Sequence, residues 1–417
     1  MLCDRRSFVR LAGAGLGSTA FSAGAGWPVA LGYLADLRRL QTQLDSLPAQ
    51  EGPVPSAQRS SLLQQLGLFR SYLSQHERAI ADVDLARPSP RAPPPLGTSL
   101  ESAIAQAEVE DALPAIVAAA QDRQIVILNE AHHVPLHRAF AMRLAQRLRR
   151  LGFGTLACEA FAVGTPTLTS PTEIRPEHGF YLRDPVFAQL VTQALQSGWS
   201  LVSYESALVD RTLPMLLQIR QREAAQAANI VERVLARTPK AKLFIYVGYS
   251  HAWKHPVKGP DNEPLAWMAA VLKDLTGIDP LCIDQTTLFA HPDRAFEHPA
   301  YRIALARGTG RERAFMLRHT GDPLRIGVLP EAIDLQVIHP PQTLIHGRSA
   351  WLMDLAQRLP VAVPSELLPK RGERLLYAFH KGHSDQATPA DMVLVQAGAE
   401  PASFMLPAGE MRFAFED

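Results

Sequence analysis

The chain has 417 residues, 47% apolar and 20% charged, enough for two or three domains with sizeable cores and far from the composition of a disordered polymer. Its formal net charge of +1 leaves no electrostatic footprint for nucleic acid or for an anionic membrane surface. Three cysteines, Cys3, Cys158 and Cys282, are too few for a disulfide framework. The last two lie in apolar, strand-like runs and read as buried small hydrophobes, with one bridge between them as the other reading.

Residues 1–30 carry Arg5-Arg6, then Ser7-Phe8-Val9-Arg10-Leu11, a weakly apolar Ala- and Gly-rich stretch, and the small-residue tail Ser22-Ala23-Gly24-Ala25. That order resembles a twin-arginine export signal and implies a periplasmic or otherwise exported protein. The apolar run is too short and Gly-rich to predict a membrane span. From 31 to 86, two apolar stripes at helical spacing predict a helical hairpin: Tyr33, Leu37, Leu40, Leu44 and Leu47, then Leu62, Leu63, Leu66, Leu68, Phe69 and Leu73. The hairpin is expected to pack on the main domain or over its site. A stiff Pro-rich linker follows at 87–98. Residues 99–300 alternate helix and strand. A helical stretch over 100–121, interrupted near Pro114, leads to an apolar strand at 125–128 and a helix closed by Gly152. Then come a strand at 155–158, a Thr/Pro/Ser-rich loop at 162–176 and a helix at 185–197. A strand at 200–203, a long helix at 214–237, a strand at 243–247, a helix at 265–276 and a strand at 280–283 complete the alternation. The pattern predicts an α/β fold with a mainly parallel sheet flanked by helices. Short apolar runs at 325–329, 336–338, 375–379, 392–396 and 411–415, with a helix near 350–359, predict a smaller, partly antiparallel β-rich region over 301–417.

The polar residues that follow these strands form a constellation: Glu130, His132 and His133 after the first, Glu159 after the second, Tyr204 and Glu205 after the third, Gly248, Tyr249 and His251 after the fourth. The carboxyl ends of parallel strands form the rim where open α/β sheets take ligands. A carboxylate can orient a histidine that draws a proton from water. The alternative is a divalent metal held by Glu130, His132, Glu159 and His251, which would lower the pKa of bound water. Arg222, on the helix after the third strand, can hold an acid or an oxyanion. The adjacent His132 and His133 are not expected to point the same way, so one is structural or solvated. His137 is either a binding residue or an exposed first-turn residue, and Arg222-Glu223 either a site element or a surface pair.

In their order, Asn129-Glu130-Ala131-His132-His133 with His137, Gly152-Phe153 through Glu159, Arg222-Glu223 with Asn229, and Gly248-Tyr249-Ser250-His251 resemble the superfamily that joins erythromycin esterases, ChaN-like haem-binding lipoproteins and TIKI proteases. The resemblance covers about residues 110–283. Glu130, His132 and His137 match the ChaN-like Glu-x-His start with its later His, whereas Glu130 and His133 match the Glu-x-x-His of the esterases. Gly248 and His251 match the Gly-x-x-His of the TIKI proteases. Asn129 stands where the family usually has Gly. The resemblance implies an exported hydrolase in which Glu130, His132, His133, Glu159, Arg222 and His251 cut an ester, lactone or amide in a small-molecule or peptide substrate. His137, Tyr204, Glu205, Glu223, Asn229, Gly248 and Tyr249 would line or support the site. The alternative it implies is a haem or iron carrier without turnover, in which Tyr204, Tyr249 or a His is the natural iron ligand.

Overall fold

The structure is a computed structural model and describes residues 27–29, 31–50, 52–88, 96–206, 210, 212–259, 261–327, 329–401 and 403–417. The export-signal segment, apart from 27–29, and the linker core at 89–95 lie outside the described residues.

Three helices, not two, follow the amino terminus: α1 (Tyr33–Asp45), α2 (Ala57–Tyr72) and α3 (His76–Leu85). The predicted helix over 100–121 is instead α4 (Thr98–Gln106), strand β1 (Glu108–Asp111) and α5 (Ala112–Ala119). Glu108–Asp111 pairs antiparallel with residues 315–318, more than 200 positions away, so a non-local ladder overrides local helical preference. Pro114 falls in the first turn of α5, where it costs no hydrogen bond. The rest of the alternation is β2 (Ile125–Glu130), α6 (Pro135–Leu148), β3 (Thr155–Cys158), α7 (Pro185–Gln196), β4 (Ser200–Ser203), α8 (Met215–Ile230), β5 (Leu243–Gly248), α9 (Met268–Thr276) and β6 (Leu281–Leu288). Gly152, at φ +86°, closes the turn that ends α6. Beyond it come α10 (Tyr301–Arg307), β7 (Phe315–His319), β8 (Leu335–Ile338), α11 (Trp351–Asp354), β9 (Glu373–His380), β10 (Asp391–Gln396) and β11 (Met411–Glu416).

The main sheet runs β7-β8-β6-β2-β5-β3-β4, and its six strands from β8 to β4 are all parallel. Every residue of β2 and β5 is buried, as strands covered on both faces require. Along β2 the side chains alternate between two cores. Val126 and Leu128 join the layer of α5, α6 and α7, and Ile125 and Ile127 join that of α8 and α9. Each such aliphatic side chain contributes roughly 1.5–3 kcal/mol of burial. Cys158 and Cys282 are free and buried on β3 and β6.

The expected boundary at residue 300 is corrected by the topology, because β7 and β8 belong to the main sheet. Among the described residues of the apolar run at 325–329 none lies in a strand, and the helix expected near 350–359 is a single turn. The predicted hairpin does not stand alone either. Tyr33, Leu34 and Leu37 of α1 and Leu62, Leu66 and Phe69 of α2 share a core with Leu375, Tyr377 and Phe379 of β9. The stripes that marked these helices are therefore completed by the chain's last antiparallel sheet, β10-β9-β11. Among the described residues, no helix is long and apolar enough to cross a membrane.

Candidate active site

Strand order decides the site. The chain leaves β2, passes over the place of β5 to form β3 and then β4, and only later inserts β5 between β3 and β2. The carboxyl ends therefore stand in the row β4, β3, β5, β2, carrying Glu205, Glu159, Gly248 and Glu130 in that order. Glu130 itself is the last residue of β2, not part of the loop.

Glu130 is buried, and its two oxygens take a forked pair of bonds from Arg138, Nε to Oε2 at 2.9 Å and Nη2 to Oε1 at 3.0 Å. Its Oε1 also lies 2.8 Å from His132 Nδ1. Burial pushes the Glu130 carboxyl up, but Arg138 and the His132 bond outweigh it and hold the group well below the usual carboxylate range. Arg138, fully buried on α6, also reaches Asp184 Oδ2 at 3.2 Å and the His132 carbonyl at 2.6 Å. Asp184 caps α7 by accepting from the Val186 and Phe187 N–H groups. His132 is stacked on Tyr181, with ring centroids 4.2 Å apart and planes 15° from parallel, and meets Tyr249 edge-on at 5.3 Å.

The other half of the rim is built around Arg222. Its Nη2 donates to Glu159 Oε1 at 2.7 Å and to Glu205 Oε2 at 2.6 Å, its Nε to Glu205 Oε1 at 3.2 Å, and its Nη1 lies 3.2 Å from His251 Nε2. Glu159 Oε2 accepts from the Gly248 N–H at 2.7 Å. Burial raises the Glu159 pKa, while His251, His132 and Arg222 bring it down to about 2. His251 Nδ1 sits 2.7 Å from Glu223 Oε2, and that same oxygen accepts from the Met268 N–H at the start of α9. Glu223 is thus a buried acid that fixes the imidazole, and Nε2 is left facing Arg222 and, at 3.6 Å, Glu159 Oε1.

Gly248 joins the halves. A Cβ there would stand 2.5 Å from both Cε1 and Nε2 of His132 and 3.1 Å from Glu159 Oε2. Only a glycine lets the His132 ring lie against this backbone. The next residue, Tyr249, has φ +42°, a left-handed conformation costly for a bulky side chain. Asn129 holds it there, donating to the Tyr249 carbonyl at 3.0 Å and to Asp284 Oδ1 at 2.8 Å, and accepting from Gln285 N–H at 2.9 Å. Asn129 is therefore a three-way tie between β2, β6 and the turn after β5.

Other expected site residues fall elsewhere. His133 turns away from His132, with Nδ1 3.3 Å from the Tyr249 hydroxyl. His137 is buried behind the rim, accepting from the Ala131 N–H and packed on Phe289 and His339, so it is neither an exposed first-turn residue nor part of the rim. Tyr204 is enclosed in the α8–α9 core. Asn229 supports the rim from behind by donating to the Tyr204 carbonyl at 2.9 Å. The four-residue metal set does not converge. The Glu130 and Glu159 oxygens are occupied by Arg138, His132, Arg222 and Gly248, and among the described residues no three His, Cys, Asp or Glu side chains come together to hold an ion.

Arg138, Tyr181, Asp184 and Gln226, which donates to Glu205 Oε2 at 3.1 Å, complete the site without having been singled out from sequence. Arg138 did carry a signal, since it interrupts the apolar run of an otherwise buried helix start and so required an acid partner. Tyr181 and Asp184 lie just past the loop expected to cover the site.

No protein-family model matches the chain, and no curated protein is similar to it. Several solved structures show weak likeness, among them the following three. The first is RRSP, a MARTX toxin effector domain from Vibrio vulnificus CMCP6, at 15% identity over 52% of this chain, with a TM-score of 0.28. This chain spans 43% of that one. The type III effector HopBA1 is 17% identical over 50% of this chain and 89% of its own, with a TM-score of 0.29. A structure described as bacterial protein toxins is 14% identical over 65% of this chain and 68% of its own, with a TM-score of 0.28. Likenesses at this level carry no argument about activity.

Proposed function

We propose that this rim is the active site of a hydrolase that activates water to cut an ester, lactone or amide bond. The Glu223–His251 pair carries the reading. With Nδ1–H directed to a buried carboxylate 2.7 Å away, His251 is held in one tautomer and turns Nε2 to the rim. In its neutral form Nε2 can take a proton from water, and the imidazolium so formed can return it to the leaving group. Glu159, 3.6 Å from Nε2, favours that cation. Arg222 is partly exposed; Glu159 and Glu205 take three of its five N–H donors, and its two Nη1–H donors, one of which must leave Nε2 when water takes its place there, are free to meet charge developing on the carbonyl oxygen. His132, oriented by Glu130 and stacked on Tyr181, walls the opposite side.

The reading fixes a pH dependence. Burial works to lower the His251 pKa, but Glu159 and Glu223 outweigh it and raise the group above its ordinary 6.5. A base acts only when deprotonated, so kcat/KM is expected to rise with pH along an acidic limb centred above that value. Glu223→Gln removes one of the charges that raises it, so the limb should move to lower pH while the plateau falls. Profiles on chromogenic esters, lactones and amides make the test, and a limb that stays in place in the variant would remove His251 from the role of base.

We also propose that the protein is exported, a reading that rests on Arg5-Arg6 and the segment that follows. Replacing both with lysine should retain the protein in the cytoplasm of an expressing bacterium. Recovery of that double variant in the periplasmic fraction at the parental level would overturn it.

A further inference from the structure

Tyr181, which stacks on His132, sits in a short 3-10 turn, Phe180–Arg183. Four residues make too few hydrogen bonds to hold such a turn by themselves. One of its carbonyls is satisfied locally, since that of Tyr181 accepts from the Asp184 N–H at 3.2 Å. The other three take hydroxyl groups from distant parts of the chain. Tyr72, the last residue of α2, donates to the Phe180 carbonyl at 3.3 Å. Thr388, between β9 and β10, donates to that of Leu182 at 2.8 Å. Tyr33, the first residue of α1, donates to that of Arg183 at 3.2 Å. All three donors are buried, so water does not compete for these carbonyls. Aromatic rings follow the same path. Phe69 of α2 meets Phe180 edge-on with centroids 6.5 Å apart, Phe180 meets Tyr181 at 5.7 Å, and Tyr181 lies on His132 at 4.2 Å.

We propose that Tyr33, Tyr72 and Thr388 are positioning residues of the active site, through which the amino-terminal helices and the β9–β10 connection together hold Tyr181 against His132. Each hydroxyl fixes one peptide plane of the turn, so the Tyr181 ring is aimed by α1, α2 and the last sheet and not by its sequence neighbours. The Glu130 bond at Nδ1 leaves the His132 imidazole free to pivot about it. The Tyr181 face removes that freedom and so sets where Nε2 stands beside Gly248. All three residues lie outside the stretch 110–283 that carries the rim. The inference rests on the hydrolytic reading for its effect on turnover, while the placement of His132 is measured without it.

Histidine-selective carbon-13 labelling of the full chain reads the stack by NMR. The His132 ring signal, assigned by its loss in His132→Gln, lies over the face of Tyr181 and is displaced upfield by the ring current. Tyr33→Phe, Tyr72→Phe and Thr388→Val each delete one hydroxyl and should move it downfield. Thr388→Ser keeps a hydroxyl and should hold the signal at its parental place. Tyr377→Phe is the control, since it deletes a hydroxyl of the same core that donates to Glu416 and does not touch the turn. It should lower the melting temperature and leave the signal alone. On a substrate that the parent cuts, each deletion is expected to lower kcat about two- to tenfold, the factor of one ordinary hydrogen bond, with KM moved less. The double variant Tyr33→Phe/Tyr72→Phe should lose about 10²-fold, the cost of a catalytic group displaced by about 1 Å. A His132 signal unmoved in all three deletions, or kcat falling no further than in Tyr377→Phe, would overturn the assignment. Should a tyrosine variant fail to fold, Thr388→Val against Thr388→Ser decides by itself. If no substrate is cut at all, the hydrolytic reading fails, and the His132 signal still decides this one.

Discussion

His251→Ala is expected to lower kcat/KM by about 10²–10⁴-fold, the span that a positioned general acid–base supplies. The size follows from how completely the ring is held. Glu223 binds Nδ1, and Glu159 and Arg222 flank Nε2, so no neighbouring group lies where the imidazole could be replaced. Histidine 132 is held by Glu130 on the other side of Gly248 and cannot swing into the place without releasing its stack on Tyr181. Glu159→Gln should lose less, because it removes a charge that stabilises the imidazolium and keeps the base. Kinetics on the responsive substrate from the ester, lactone and amide panel would check both. A His251→Ala variant within threefold of the parent would sink the hydrolytic reading, and a matching melting curve would show that the fold is not the cause of any loss.

Arg138→Met should destabilise the protein by about 3–5 kcal/mol, the cost of leaving buried charge without its partner. Arg138 is the shared counter-ion of Glu130 and Asp184, all three of them buried. Methionine fills much of the volume and still packs on Phe187, whose ring lies 4.9 Å from the guanidinium, so the loss reports charge and not a cavity. Adding Glu130→Gln should recover part of it. The acid limb gives a second readout. The folded-state pKa of Glu130 is depressed, so its contribution to stability is present above the ordinary carboxylate range and is lost as pH falls through the folded value. In Arg138→Met that contribution should vanish at neutral pH as well. Urea midpoints at several pH values make the measurement, and a change under about 1 kcal/mol would place this triad with ordinary surface pairs.

Much of this was legible in the chain. The strands at 125–130, 155–158, 200–203 and 243–248 announced themselves as apolar runs ending in Glu130, Glu159, Glu205 and Gly248, since a strand covered on both faces has to be apolar throughout. What periodicity cannot encode is the order of strands within a sheet. Nothing local says that β5 sits between β3 and β2, and that insertion is what brings His251 beside Glu159. The choice between His132 and His133 was likewise closed to sequence, because the backbone at the end of β2 decides it. Tyr181 could not be read from its neighbours, as an aromatic in a loop has no period. The β-rich character of the carboxyl-terminal region was legible, but β7 and β8 are too short to show that they join the main sheet.

Inserting β5 late has a bearing on how the protein is made. Until residues 243–248 leave the ribosome, β2 and β3 each present an open edge that attracts other chains. The same step brings Gly248 against Glu159 and His132. A nascent or truncated chain lacking that strand is therefore prone to associate, and the contact of Gly248 with Glu159 and His132 forms only as the last gap in the parallel sheet closes.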